Sequence, residues 1–148
     1  MTRRVVTGLD EQGRSTVLLD GPPIPFDGAW GGIIWHTDAV PASNAAQADC
    51  KHVPFDFELM HNASSLFMMM EFPPGQDQFW HATNTIDYIA MIEGEIVLEL
   101  ETGEVLLKAG DLAVDRGVLH SWRNDTDKPA RAAIVTLPAH PVGKGATV

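Results

Sequence analysis

From residue 63 to residue 137 the chain is a succession of short apolar runs, each closed by glycine, proline or aspartate. Ser65 to Phe72 ends at Pro73-Pro74-Gly75, Thr85 to Ile92 at Glu93-Gly94, and Glu95 to Glu101 at Thr102-Gly103. Glu104 to Leu107 turns at Gly110-Asp111 into Leu112 to Val114; Val118 to Arg123 and Ala130 to Leu137 flank a polar turn at 124–129. Short strands separated by turn residues at intervals of about 8–12 residues indicate an all-β sandwich or barrel. None of these segments sustains a helical period. The first 62 residues are less regular. Ser15 to Asp20 and Gly32 to Thr37 read as extra N-terminal strands, with Gly21-Pro22-Pro23-Ile24-Pro25 extended between them. Val40 to Met60 reads as a long loop, of the kind that acts as a lid or as an arm for a partner subunit.

The 148 residues suit one domain with its own core, and a 45% hydrophobic content is that of an ordinary globule. The expected organisation is 1–62 as N-terminal strands and loop, 63–137 as the barrel, and 138–148 as a tail. Twenty acidic against ten basic residues give a formal charge of −10, and the basic residues form no run. Nucleic acid and anionic membrane both require clustered cations, so neither is an expected partner. No apolar run approaches the roughly 20 residues that span a bilayer, and no apolar signal region follows Arg3-Arg4, so a cytoplasmic location is expected. Cys50 is the one cysteine; a disulfide within the chain or a thiolate zinc site is therefore excluded.

Chemistry concentrates around His81. If 81–87 is a strand, His81, Thr83, Thr85 and Asp87 alternate onto one face. His120, Trp122 and Asn124 repeat that theme further on. Gly75 is followed by five residues and His81; Asp87 and then Gly94 close the pattern. Gly110-Asp111, Arg116-Gly117, His120 and Asn124 form a second one.

The two patterns resemble the two motifs of the cupin superfamily, in their order and close to their spacing. The first motif carries His-x-His and then Glu; here Thr83 takes the second histidine position and Asp87 the glutamate position. The second carries Pro-x-Gly, His and Asn; here Arg116-Gly117 stands at the Pro-x-Gly, one residue short. The resemblance covers roughly residues 63–137. It implies a small single-domain cupin of the bacterial type, a double-stranded β-helix (jelly-roll) barrel with the site inside. It also implies a homodimer, with the N-terminal strands pairing across the interface.

Three readings of the site follow. In the first, His81, Asp87 and His120 hold a single divalent metal (Fe, Mn, Ni or Zn), since two histidines and a carboxylate form a known ligand set. In the second the site is metal-free, with His81 or His120 transferring a proton beside Asp87. In the third the histidines are satisfied core residues. Thr83, Trp122, Met68, Met70, Tyr88 and Met91 are the candidate substrate-binding residues, with Phe79 and Trp80 as further apolar lining. His36, His52, His61 and His140 lie outside the motifs and read as surface residues. The expected function is an enzyme acting on a small carbonyl or phenolic molecule by acid–base or metal-assisted proton transfer, of lyase, isomerase or hydrolase type. The alternatives are a non-heme metal-dependent dioxygenase and a non-catalytic small-molecule-binding protein.

Overall fold

The computed structural model describes residues 1–26, 31–50, 52, 55–143 and 147–148. The strands are β1 (Arg4–Leu9), β2 (Ser15–Gly21), β3 (Ile24–Pro25), β4 (Gly31–Thr37), β5 (Ser65–Phe72) and β6 (Thr85–Glu93). They continue with β7 (Glu95–Leu100), β8 (Gly103–Lys108), β9 (Leu112–Asp115), β10 (His120–Arg123) and β11 (Ala130–Pro138). A short helix, α1 (Phe57–Asn62), precedes β5.

Two sheets build the barrel. One has the order β3-β4-β5-β11-β6-β9 and the other β10-β7-β8, with antiparallel pairing throughout. Alternation sets what lies between them. Leu66, Met68, Ile89, Met91, Ala132 and Ile134 point inward from the larger sheet, meeting Ile96 and Leu107 from the smaller one. The expected extra strands at 15–20 and 32–37 are present as β2 and β4, whereas β1 was not foreseen. Within this chain β1 pairs with β2 and β4 with β5, so the barrel sheet extends into the first 62 residues. Among the described residues, no helix is long and apolar enough to cross a membrane.

The long loop expected over 40–60 contains the start of α1, and its residues 51, 53 and 54 lie outside the described residues. The helix begins there because Asp56 is extended and its carboxylate accepts a 2.7 Å hydrogen bond from Leu59 N, a standard N-cap. Met60 is its buried anchor. Part of the expected tail, 144–146, is likewise outside the described residues, but Val148 N donates to Ala82 O at 3.0 Å.

Two side-chain arrangements hold the site's frame. Asn124 is fully buried; its amide donates to Phe72 O and Lys128 O, and its Oδ1 accepts from Thr126 N and Oγ1. This meets the backbone needs of the 124–129 turn without water. Gly117, with φ of 73°, lies against the chain before β6, where an added Cβ would sit 2.3 Å from Thr83 O and 2.8 Å from Thr85 O. Gly117→Ala is expected to cost about 2 kcal/mol through left-handed strain and backbone collision. Denaturant melting checks this; an unchanged midpoint would mean that the turn relocates freely.

Candidate active site

The barrel encloses a cavity of about 190 Å³. Met68, Met70 and Phe72 from β5, Asp87 and Ile89 from β6, His120 and Trp122 from β10 and Ile134 from β11 line it. Phe55, Phe57 and Met60 close it from the α1 side, with Phe79 and His81 beside them. The lining is mainly aromatic and thioether surface with a few polar groups converging on it, the usual make-up of a small-molecule site.

His81 precedes β6 rather than belonging to a continuous strand. It forms an isolated antiparallel bridge with His120: His81 N donates to His120 O at 2.9 Å, and His120 N donates to His81 O at 3.0 Å. The bridge brings the two imidazole centroids to 4.3 Å. Each ring is oriented by a backbone carbonyl, His81 Nδ1 lying 2.9 Å from Phe79 O and His120 Nδ1 2.8 Å from Val118 O. With Nδ1 donating, Nε2 is left in each ring as the atom that exchanges a proton with a ligand. Phe79 stacks on His81 at 4.9 Å, and Trp122 meets His120 edge-on at 5.6 Å.

Asp115 is a partner that sequence reasoning missed. Its Oδ2 lies 3.0 Å from His120 Nδ1, and both side chains are almost fully buried. The Nδ1 hydrogen is directed at the Val118 carbonyl, and the Asp115 carboxylate lies beside it as a charge, its Oδ2 at ion-pair distance without a hydrogen bond of its own. Gly117 N and Val118 N donate to Asp115 Oδ1 at 2.8 and 3.2 Å. Burial pushes the Asp115 carboxyl up, but the His120 imidazole and these two amides outweigh it and hold it below the usual carboxylate range. Burial likewise pushes His120 down, yet the Asp115 carboxylate 3.0 Å away, the Val118 carbonyl and the charge of Asp87 leave it raised. His81 is lowered, chiefly by burial, with the His120 charge acting in the same direction.

Asp87 sits directly across from Asp115 in the β6–β9 register. Burial, reinforced by the Asp115 charge, raises its carboxyl to about 6 against the opposing hydrogen bond from Thr85. That bond is 2.7 Å, and Thr83 Oγ1 follows 2.8 Å beyond Thr85 Oγ1.

The candidate residues sort as follows. His81, Asp87, His120, Trp122, Met68 and Met70 all line the cavity. Thr83 does not; it is buried behind Thr85, because the chain between His81 and Thr85 is not a regular strand. Met91 lies on the same inward face as Asp87 and Ile89 but farther along β6, in the core rather than the cavity wall. Tyr88 is on the opposite face and exposed, since it differs from Asp87 by one residue of a strand. Trp80 is also largely exposed and does not line the cavity. Phe55, Phe57 and Gln76 were missed as lining; for the two phenylalanines the signal was Phe-x-Phe, and Glu71, which reads as a solvated edge residue, also lines the cavity. His36 is buried rather than on the surface, and His61 Nε2 accepts a 3.3 Å bond from Asn84 N.

Among the described residues, no group of three or more His, Cys, Asp or Glu side chains converges closely enough to hold a metal ion. Asp87 is instead engaged with Thr85, and Asp115 with His120 and two amides. His81, Asp87 and His120 line one cavity without forming a closed ligand cluster in this arrangement.

A family model described as "Cupin domain" matches residues 68–136. The chain is 30% identical over 148 residues to the cupin-domain-containing oxidoreductase srdD of Neurospora crassa, covering 90% of this chain and 74% of that one. It is 42% identical over 93 residues to the oryzines biosynthesis cluster protein J of Aspergillus oryzae, covering 62% of this chain and 50% of that one. The chain thus spans only about half the length of some of the curated relatives it matches. The barrel, the two histidine motifs and these relatives agree: the chain belongs to the cupin superfamily. It is related to fungal cupin-domain oxidoreductases. Its fold is shared by a double-stranded β-helix protein of Klebsiella pneumoniae (TM-score 0.52, 20% identity, 79% of this chain and 84% of that one). It is also shared by a putative ethanolamine utilization protein Q of Salmonella typhimurium (TM-score 0.52, 17% identity, 95% and 98%).

Proposed function

We propose that this chain is an enzyme of small-molecule metabolism that moves protons on an enolisable carbonyl or phenolic substrate held in the barrel. One observation carries the reading. Two imidazoles 4.3 Å apart line the same cavity, and their surroundings drive their protonation in opposite directions. Titratable pairs pushed apart in this way divide into acid and base. Neutral His81 takes the proton from the carbon next to the carbonyl, giving an enolate. The His120 imidazolium, held by Asp115, returns a proton to the oxygen, to a distal carbon, or to a departing hydroxyl. The outcome is tautomerisation or loss of water, with no electrons gained or lost. The aromatic and methionine walls favour a small flat substrate and keep the transfer away from bulk water.

The relatives' names supply a second reading. Three of them, 28–30% identical and matched over at least 90% of this chain, are called cupin-domain oxidoreductases. Here the same acid and base would serve a redox step on a similar substrate.

Proton NMR in D₂O separates the two readings. Aromatic carbonyls and β-dicarbonyl compounds are expected to exchange their α-hydrogens faster with the protein, and His120→Gln is expected to abolish the acceleration. Consumption of O₂ or of a nicotinamide acceptor in step with substrate loss would replace proton transfer by the redox reading. Stoichiometric metal required for the exchange would overturn the metal-free assignment.

A further inference from the structure

β10 is an edge strand of the smaller sheet, and the segment from Gly75 to His81 runs beside it. Main-chain bonds tie that segment at its two ends, Gly75 N donating to Asn124 O at 3.2 Å and His81 pairing with His120. Between those ends the ties are side-chain bonds. Phe79 N donates to Ser121 Oγ at 3.1 Å, and Gln78 Nε2 donates to Glu99 Oε1 at 2.6 Å. His120 and Trp122 face the cavity, so Ser121 between them faces the other side of the sheet. Glu99 lies directly across from Ser121 in the β10–β7 register and shares that outer face. The outer face of an antiparallel sheet is ordinarily solvated. Here Ser121 is 0% and Glu99 7% exposed.

A buried carboxylate is destabilising at such a place unless both oxygens are satisfied. Glu99 Oε2 is buried and has no hydrogen-bond partner among the described residues. Arg123 does not explain its presence. That guanidinium does bond Glu99 Oε1 at 2.5 Å, but Glu104 at 3.1 Å and Asp125 at 2.7 Å, both well exposed, already balance its charge. What Glu99 adds beyond those two is an acceptor for Gln78. Gln78 and Ser121 together hold the chain on the N-terminal side of Phe79. On its C-terminal side, Phe79 O faces His81 Nδ1 at 2.9 Å, and the Phe79 ring stacks on the imidazole.

We propose that Glu99 is a positioning residue for His81, acting from outside the barrel through Gln78 and the Phe79 carbonyl. The inference rests on the reading of His81 as the base of the proton transfer. A ring whose Nδ1–H is directed at Phe79 O presents an unprotonated Nε2 to the cavity, the form in which a base accepts a proton. A carbonyl can select one tautomer only while it stays in place. Glu99 and Ser121 keep it there from the face of the sheet that substrate never touches. Releasing Gln78 frees Phe79 to turn, and His81 then divides between its two tautomers. Part of the enzyme would hold its proton on the wrong nitrogen, which lowers turnover and leaves the apolar walls that bind substrate as they were.

Nitrogen-15 NMR of the His81 ring at about pH 8.5, roughly two units above the ordinary imidazole value, reads the tautomer directly. The wild type is expected to hold the proton on Nδ1. Gln78→Glu, at an exposed position, sets one carboxylate against another and breaks the tether without altering the sheet. It is expected to give a mixture of tautomers and to lower kcat for α-hydrogen exchange about 10-fold or more, with KM little changed. Adding Glu99→Gln to Gln78→Glu exchanges donor and acceptor, and is expected to restore both the tautomer and kcat. Glu104→Gln, which disturbs Arg123 but not Gln78, is expected to change neither. A wild type already divided between tautomers overturns the proposal. So does a Gln78→Glu protein with unchanged tautomer, a loss confined to KM, a double variant that recovers nothing, or a Glu104→Gln protein that shifts the tautomer as far. Absence of exchange in the wild type overturns the proton-transfer reading instead, and the tautomer alone then decides on the tether.

Discussion

Replacing Asp115 with asparagine is expected to slow proton transfer by about 10²- to 10³-fold while leaving the barrel folded. The amide keeps the size of the side chain and can still accept from Gly117 N and Val118 N. With that oxygen so held, the amide NH₂ replaces the carboxylate oxygen 3.0 Å from His120 Nδ1, so the negative charge is lost and a donor faces a donor. Without that charge, burial dominates and the His120 imidazolium becomes harder to keep. The His120 Cε1 proton resonance should therefore titrate at lower pH in the variant, and the alkaline limb of the pH–rate profile, where the general acid loses its proton, should move with it. Asp115 acts through His120, so a loss in kcat with little change in KM is the expected division. An unchanged titration, or a loss confined to KM, would remove Asp115 from this role.

The same pair limits the pH range of stability. His120 is raised, so its contribution is complete below the ordinary imidazole value and is lost as pH rises through its own higher pKa. Asp115 is lowered, so its contribution is complete above the ordinary carboxylate value and is lost as pH falls through its depressed pKa. The pair is thus worth most between about pH 4 and 6.5.

Asp87→Asn is expected to stabilise the protein at neutral pH, by about 3 kcal/mol, the free energy that corresponds to a carboxyl raised to about 6. A raised carboxyl favours the fold while it is protonated. That contribution is present below about pH 4 and is lost as pH climbs through 6, when an ionised Asp87 must sit buried across from Asp115. Asparagine never ionises, and its side-chain oxygen can still accept from Thr85 Oγ1. The difference in unfolding free energy between variant and wild type should be smallest near pH 4 and open steadily up to about pH 7.5. Denaturant titrations at those pH values measure it; parallel stability curves would show that Asp87 stays ionised at little cost.

His81, His120 and Asp87 were legible in the sequence because motif spacing is a local property, and they do converge on one cavity. Asp115 was not. In Leu112-Ala113-Val114-Asp115, Leu112 and Val114 point out to solvent and the carboxylate points in, the reverse of what hydrophobic alternation suggests. Only the pairing of β9 with β6, which sets Asp115 across from Asp87, reveals that direction. The shortened second motif hid it further, because Asp115-Arg116-Gly117 places the aspartate at the proline of Pro-x-Gly. Tyr88 failed for a simpler reason: its parity on β6 is opposite to that of Asp87. The cavity's closing residues, Phe55 and Phe57, come from a segment whose packing no periodicity announces. The strand pattern of 63–137 was readable because each turn is marked by its own residues. The place of β4 in the sheet depends on contacts with β5, about thirty residues away, which leave no local trace.

The bridge between His81 and His120 is made by main-chain atoms alone. Neither imidazole takes part in that bridge, so removing one ring leaves both main-chain hydrogen bonds in place under its neighbour. That makes this site unusually well suited to dissection. A His81→Ala, His120→Ala double-mutant cycle would report the coupling between the rings, packing and chemical together, on an unchanged main-chain bridge. Small imidazoles added to either single variant would find a vacated space with the opposing ring still on station.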